Sequence, residues 1–164
     1  VNNVGVPRTD VSGRRESPAS LEDLYESHYR RMVAVAALLV DDVETAEEIV
    51  QDAFLALHRR WGEGIANPGG YLRTSVINGA RDVLRHRSVR RRTLIPAERD
   101  TAPVFRELDD VLSRLPLKER TAIVLRYSED LPEDEIAAAL GVRPSSVRSL
   151  IHRGLKRLRT EVER

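Results

Sequence analysis

From Leu21 to Leu84, and again from Phe105 to Val162, apolar side chains recur three and four residues apart, and this period confines the chain to helices. Leu21, Leu24, Tyr25, His28, Met32, Val33, Ala36 and Leu39 share one face and predict a helix to about Val40. Val43, Ala46, Ile49, Val50, Ala53, Phe54 and Leu57 form the stripe of a second helix, ending near Trp61 and Gly62. Tyr71, Leu72, Val76, Ile77, Ala80, Val83 and Leu84 predict a third. Aromatic residues make up only 4% of the chain and alternating β-branched runs are scarce, so the expected class is all-α, helices packed on helices.

Local signals set the boundaries. Ser20, with Asp23 three residues on, has the pattern of a capping box, and the pair Asp41 and Asp42 stands where acids favour a helix start. Gly62, Gly64, Pro68, Gly69 and Gly70 punctuate a loop before the third helix, inside which Gly79 costs about 1 kcal/mol relative to Ala. Residues 1–19 carry too few apolar groups to offset the entropy of ordering and read as a flexible tail. Residues 87–103 are basic, contain two prolines and lose the period, which marks a linker. Two small helical modules follow from these breaks, at 20–86 and 104–164. In the second, Phe105, Leu108, Val111, Leu112 and Leu115 predict a short helix stopped by Pro116. Ala122, Ile123 and Leu125 predict another, Ile136, Ala137 and Leu140 a third opened by Leu131-Pro132, and Val147, Leu150, Ile151, Leu155, Leu158 and Val162 the last.

A net charge of +1 hides strong segregation. Asp41, Asp42, Glu44, Glu47, Glu48 and Asp52 run without a base, then Arg73, Arg81, Arg85, Arg87, Arg90, Arg91 and Arg92 follow with only Asp82 opposing. The second module repeats the order: Glu129, Asp130, Glu133, Asp134 and Glu135 precede Arg143, Arg148, Arg153, Lys156, Arg157 and Arg159. Two basic surfaces suited to phosphates are the consequence.

Other chemistries find little support. The absence of cysteine excludes disulfides and thiolate metal sites, and the four histidines are scattered, so neither a metal nor a cofactor is expected. With no phosphate-binding loop and no nucleophile paired to a base, the chain is not expected to be an enzyme. The longest apolar run, from Met32 to Val40, is too short to insert in a membrane, and the first residues lack the apolar core of a secretory signal, which predicts a cytoplasmic protein.

Residues 133–152 have the spacing of a helix-turn-helix. Ala137 is small where two helices must approach, Gly141 supplies a positive φ at the turn, and Val147 packs the second helix back. With those groups inward, Ser145, Ser146, Arg148, Ser149, His152, Arg153 and Lys156 face outward, a set able to bond base edges and phosphates in a major groove.

Taken in order, AEEIVQDAFLAL (46–57), the Trp61 loop with YLRTSVINGARDVLR (71–85), LPLKERTAIVLRY (115–127), LPEDEIAAALGV (131–142) and SSVRSLIHRGLKRLR (145–159) resemble the extracytoplasmic-function (ECF) sigma factors of the sigma-70 family. The resemblance implies a region 2-like bundle followed by a region 4-like helix-turn-helix domain, and a specificity subunit of RNA polymerase that reads promoters. By motif match Glu48, Gln51 and Asp52 would dock on the β′ clamp helices of core RNA polymerase. Trp61, Asn67, Tyr71, Arg73, Asn78, Arg81 and Arg85 would capture the minus-10 element as promoter DNA opens, and the outward face of the last helix would read the minus-35 element. The basic linker would thread the polymerase near the RNA exit path, and an anti-sigma factor is a candidate further partner. Two positions depart from the family pattern: Arg143 stands where Ser or Thr often caps the recognition helix, leaving Pro144 or Ser145 to start it, and Gly79 interrupts the third helix. Two other readings fit the residues: a conventional dimeric helix-turn-helix regulator, and a protein that sequesters a partner without touching DNA.

Overall fold

The computed structural model describes residues 20–91 and 106–163, and the expected tail at 1–19 and residues 92–103 of the expected linker lie outside them. Among the described residues there are seven α-helices and no strand: α1 Leu21–Val40, α2 Val43–Arg60, α3 Pro68–Arg91, α4 Arg106–Ser113, α5 Leu117–Ser128, α6 Glu133–Leu140 and α7 Pro144–Val162. The all-α class read from the period is the class observed.

Ser20 caps α1, its hydroxyl accepting the Asp23 amide at 3.1 Å. The two acids after Val40 divide the labour of a corner. Asp41 closes α1 in the left-handed region at φ 59°, its amide bonded to the Ala37 carbonyl at 2.8 Å, a conformation Asp tolerates better than most residues. Asp42 then caps α2 by accepting the Thr45 amide at 3.0 Å and the Thr45 hydroxyl. Burial opposes ionisation of Asp42, but these bonds and nearby Arg87 outweigh it and hold the carboxyl below its ordinary value. Arg87 reaches across from α3 to the same corner, donating to the Val40 carbonyl at 2.6 Å and Thr45 Oγ1 at 3.1 Å.

That reach is possible because α3 is longer than its apolar stripe indicates. It begins at Pro68, three residues before Tyr71, with Asn67 Oδ1 accepting the Gly70 amide at 2.9 Å, and it runs on to Arg91. Proline suits a first helical turn because its missing N–H has no intrahelical partner there.

Leu24, Met32, Val35 and Leu39 of α1, Ile49, Val50, Phe54 and Leu57 of α2, and Leu72, Val76, Ile77 and Ala80 of α3 fill the first core. It is continuous with the core of the second half, where Ala122, Val124 and Leu125 of α5 meet Ile136, Ala137 and Leu140 of α6 and Val147 and Leu150 of α7. A satellite of Leu112, Leu115 and Ile123 packs on Leu38 of α1 and Leu158 of α7.

At Gly79, α3 packs tightly against α2. A β-carbon there would lie 2.8 Å from Cγ2 of Ile49, a branch methyl that a stiff χ1 cannot move aside. The helix-weakening glycine is therefore a packing residue. Gly79→Ala should lower the urea midpoint, because overpacking costs about 1–3 kcal/mol against a helix gain of about 1 kcal/mol. Paired with Ile49→Ala, it should prove less damaging than the two single effects summed; strict additivity in a double-mutant cycle would refute the contact.

Candidate nucleic-acid and partner interfaces

The helix-turn-helix is built from α6 and α7. Gly141 ends α6 at φ 64°, and the Val142 amide returns to the Ala137 carbonyl at 3.0 Å, closing the turn. Of the two candidate starts for α7, Pro144 takes the first helical position, while Arg143 at the N-cap makes no side-chain bond. Val147, Leu150 and Gly154 face inward. A β-carbon on Gly154 would sit 2.5 Å from Cδ1 of Ile123, so the glycine brings α7 against α5.

Helical spacing puts Ser145, Ser149, His152 and Lys156 on a single exposed stripe, with Ser146 half-buried beside it. The two arginines flank the stripe on opposite sides, each held by an acid of a supporting helix. Arg148, its side chain 80% exposed, meets Glu133 of α6 through Nε at 3.1 Å and Nη2 at 3.0 Å, a contact that raises its pKa through the hydrogen bond first and the charge second. Arg153 approaches Glu119 of α5 at 3.3 Å, and Arg157 lies 3.1 Å from the other oxygen of the same carboxylate. Glu119 is buried, whereas both arginines remain more than half exposed. A guanidinium held in this way keeps donors for a phosphate or base while its direction is set. Reading the sequence placed Arg157 in the basic run but missed its pairing with Glu119; the signal was an acid in the first turn of α5 and two bases four residues apart on α7.

The residues expected to take the minus-10 element do not all share a face. Tyr71, Asn78, Arg81 and Arg85 lie on one side of α3, where Asn78, Arg81 and Arg85 are exposed and Arg85 pairs with Asp82 at 3.1 Å. Tyr71 is half-buried under the Arg60 guanidinium, 5.4 Å above its ring, and Trp61 is half-buried against the core in a short 3₁₀ turn at Trp61–Glu63. Asn67 is exposed but occupied as the cap already described. Arg73 stands on the far side of α3, only 6% exposed, with Nη1 3.2 Å from Glu135 of α6.

Glu48, Gln51 and Asp52 are exposed along α2, off its buried stripe. Beside them Gln51 lines a shallow, largely apolar groove of about 420 Å³ with Leu21, Glu22, Tyr25, Phe54, Leu55 and His58. Tyr25 and Leu55 are 45% and 53% exposed, so the polar row borders an apolar one. Leu55 was legible as an apolar residue outside the α2 stripe. Among the described residues no cluster of His, Cys, Asp or Glu could hold a metal, and no helix is long and apolar enough to cross a membrane.

Comparison with known proteins finds two family matches, one in each half of the chain. Residues 24–90 match the Sigma-70 region 2 family and residues 105–158 the family described as Sigma-70, region 4. The RNA polymerase sigma-E factor of Streptomyces avermitilis is 32% identical over 155 residues, covering 87% of this chain and 84% of that protein. The ECF RNA polymerase sigma factor SigE of Mycolicibacterium smegmatis is 30% identical over 169 residues, covering 92% and 64%. In fold, the chain is similar to the sigma factor RpoE of Bartonella quintana, solved in complex with the anti-sigma factor NepR, at a TM-score of 0.71 and 19% identity over 87% of this chain and 96% of that one.

Glu119→Gln removes the carboxylate that neutralises Arg153 and Arg157. The slope of log Kd against log salt for duplex DNA should then steepen by about 1–2, since each freed guanidinium can release a counterion. An unchanged slope in fluorescence anisotropy would show that this flank of α7 does not face the duplex.

Proposed function

As this chain belongs to the sigma-70 family of RNA polymerase sigma factors, in its ECF group, we propose a division of labour among the three surfaces described above. The chain is a sigma factor: it binds core RNA polymerase and directs it to promoters. Covalent chemistry stays with the polymerase, and the chain acts in the cytoplasm as a specificity subunit without a catalytic centre of its own.

The observation that carries the reading is the exposed stripe of α7 between two acid-oriented arginines. A helix in a major groove reads bases through the few side chains at its centre and takes its register from phosphate contacts at its edges. Ser145, Ser149, His152 and Lys156 have the central position. Arg148 and Arg153 have the flanks, and the module at 104–164 thereby reads the minus-35 element.

The module at 20–86 takes the minus-10 element on the exposed side of α3. Asn78, Arg81 and Arg85 offer an amide and a basic track, and Tyr71 and Trp61 offer ring surface at its head, the combination that separated strands require. Arg73, buried on the far side of α3, stands apart from them. Glu48, Gln51 and Asp52 of α2 dock on the β′ clamp helices, a polar row free of intrachain burial and therefore available at little reorganisation. An anti-sigma factor is a further partner in this reading, supported by the complex of the similar RpoE with NepR.

Run-off transcription with purified bacterial core polymerase tests the whole reading. Adding the protein should yield transcripts from a defined subset of genomic fragments that core alone does not produce. Autonomous binding of a palindromic operator, with no binding to core, would replace the sigma reading with that of a conventional dimeric regulator. Asp52→Lys should weaken core binding by about tenfold or more, as expected for a reversed charge at an interface; unchanged affinity by surface plasmon resonance would remove α2 from the docking face.

A further inference from the structure

Arg60, the last residue of α2, lies where the chain begins to turn from α2 toward α3. Its guanidinium stands over the Tyr71 ring, 5.4 Å from the centroid, within the range at which a cation and an aromatic face attract. Glu63, at the end of the 3₁₀ turn, accepts its Nε at 2.9 Å. Gly64 follows at φ 72°, a conformation that favours glycine, and carries the chain onward after Glu63. The side chains of Arg60 and Glu63 are 53% and 59% exposed, whereas Tyr71 is half-buried. A group approaching Tyr71 on the face that Arg60 covers therefore meets the guanidinium before the phenol ring.

Helical spacing sets Tyr71, Ser75, Asn78, Asp82 and Arg85 along one stripe of α3, and the covered ring is at its head. At about 1.5 Å per residue, Tyr71 and Asn78 are about 10 Å apart along the helix axis, a spacing that assigns them to different nucleotides. Ion pairing decides what Arg60 can offer a strand. With Glu63 on its Nε the pair is neutral, so its attraction for a phosphate is small. What remains is the flat face of a guanidinium, which is weakly hydrated and stacks on bases as an aromatic ring does.

We propose that Arg60 is the outer layer of a base-stacking platform, with Tyr71 as its inner layer and Glu63 as the residue that positions it, and that one base of the separated minus-10 strand stacks on the guanidinium. The inference rests on the reading of α3 as the minus-10 surface and adds a residue of α2 to it. Every base has a π-face, so a platform of this kind accepts any of the four. Its part is to fix where the strand enters the stripe. Discrimination among bases falls to the polar groups further along, Asn78 among them.

The test uses holoenzyme assembled from core polymerase and the full chain, and a forked DNA taken from a promoter found by run-off transcription. Its single-stranded minus-10 segment carries an abasic site at each position in turn. One position should cost the wild type about tenfold in Kd, and that cost should vanish both in Arg60→Ala and in Arg60→Lys, which keeps the charge without the plane. Asn78→Ala should erase the cost at a different position. Salt dependence separates a base contact from a phosphate contact. Arg60→Ala should leave the slope of log Kd against log salt unchanged, whereas Arg81→Ala on the basic track should flatten it by about 0.7. Glu63→Gln should lower the abasic cost and steepen the slope by about 0.7, because the freed guanidinium turns to phosphate. Arg60, Glu63, Asn78 and Arg81 are all exposed, so these substitutions leave the core untouched. An abasic cost that persists in Arg60→Ala or in Arg60→Lys, or a slope flattened by Arg60→Ala, overturns the platform while leaving α3 as the minus-10 surface. Wild-type holoenzyme that finds no promoter, or binds forked and fully duplex DNA alike, refutes the minus-10 reading itself and the platform with it.

Discussion

The buried guanidinium of Arg120 is the contact on which the arrangement of the two halves turns. It donates to the Leu39 carbonyl at the end of α1, and to the Ser113 and Leu115 carbonyls at the corner between α4 and α5. Burial lowers its pKa from the ordinary arginine value while Asp41 opposes that shift, yet arginine stays charged because its unperturbed pKa lies so far above neutral. A buried charge needs bonded partners, and carbonyls at helix ends are the ones left unsatisfied by the helices themselves. Arg120 meets both needs at once. Each such charge-assisted bond contributes about 1.5–3 kcal/mol, offset in part by its unpartnered Nε.

The same economy governs the exposed surface. Glu133 and Glu119 lie on the helices that support α7, and each orients an arginine at one edge of its exposed stripe. The segregated charges of the sequence are therefore partly an internal arrangement, with acids of one helix set against bases of another. What remains outward is a short polar stripe bounded by fixed cations, which suits recognition by register better than a uniformly basic face would.

Much of this was legible before any coordinates. The 3.6-residue period located the helices, Ser20 and Gly141 acted as the caps their types suggest, and the spacing Ala137, Gly141, Val147 located the turn. Both ends of α3 were misjudged, because Pro68 and Asn67 start it where glycine and proline signal a loop, and its last turn lacks an apolar stripe yet is anchored through Arg87. Gly79 was read through propensity alone, whereas its neighbour in space is Ile49, thirty positions away in the chain.

Arg73, Arg81 and Arg85 are the same residue type in one basic run, but helical spacing aligns Arg73 with Val76, Ile77, Ala80 and Leu84 and leaves Arg81 and Arg85 off that stripe. The sequence by itself determined that they lie on a helix, that a helix-turn-helix follows, and which motifs they belong to, because period, caps and turns depend on neighbours a few residues apart. Only the tertiary structure decided that Arg73 is buried against Glu135, 62 residues later. That outcome depends on which helix stands opposite α3, a matter of shape and charge between distant segments that no local pattern encodes.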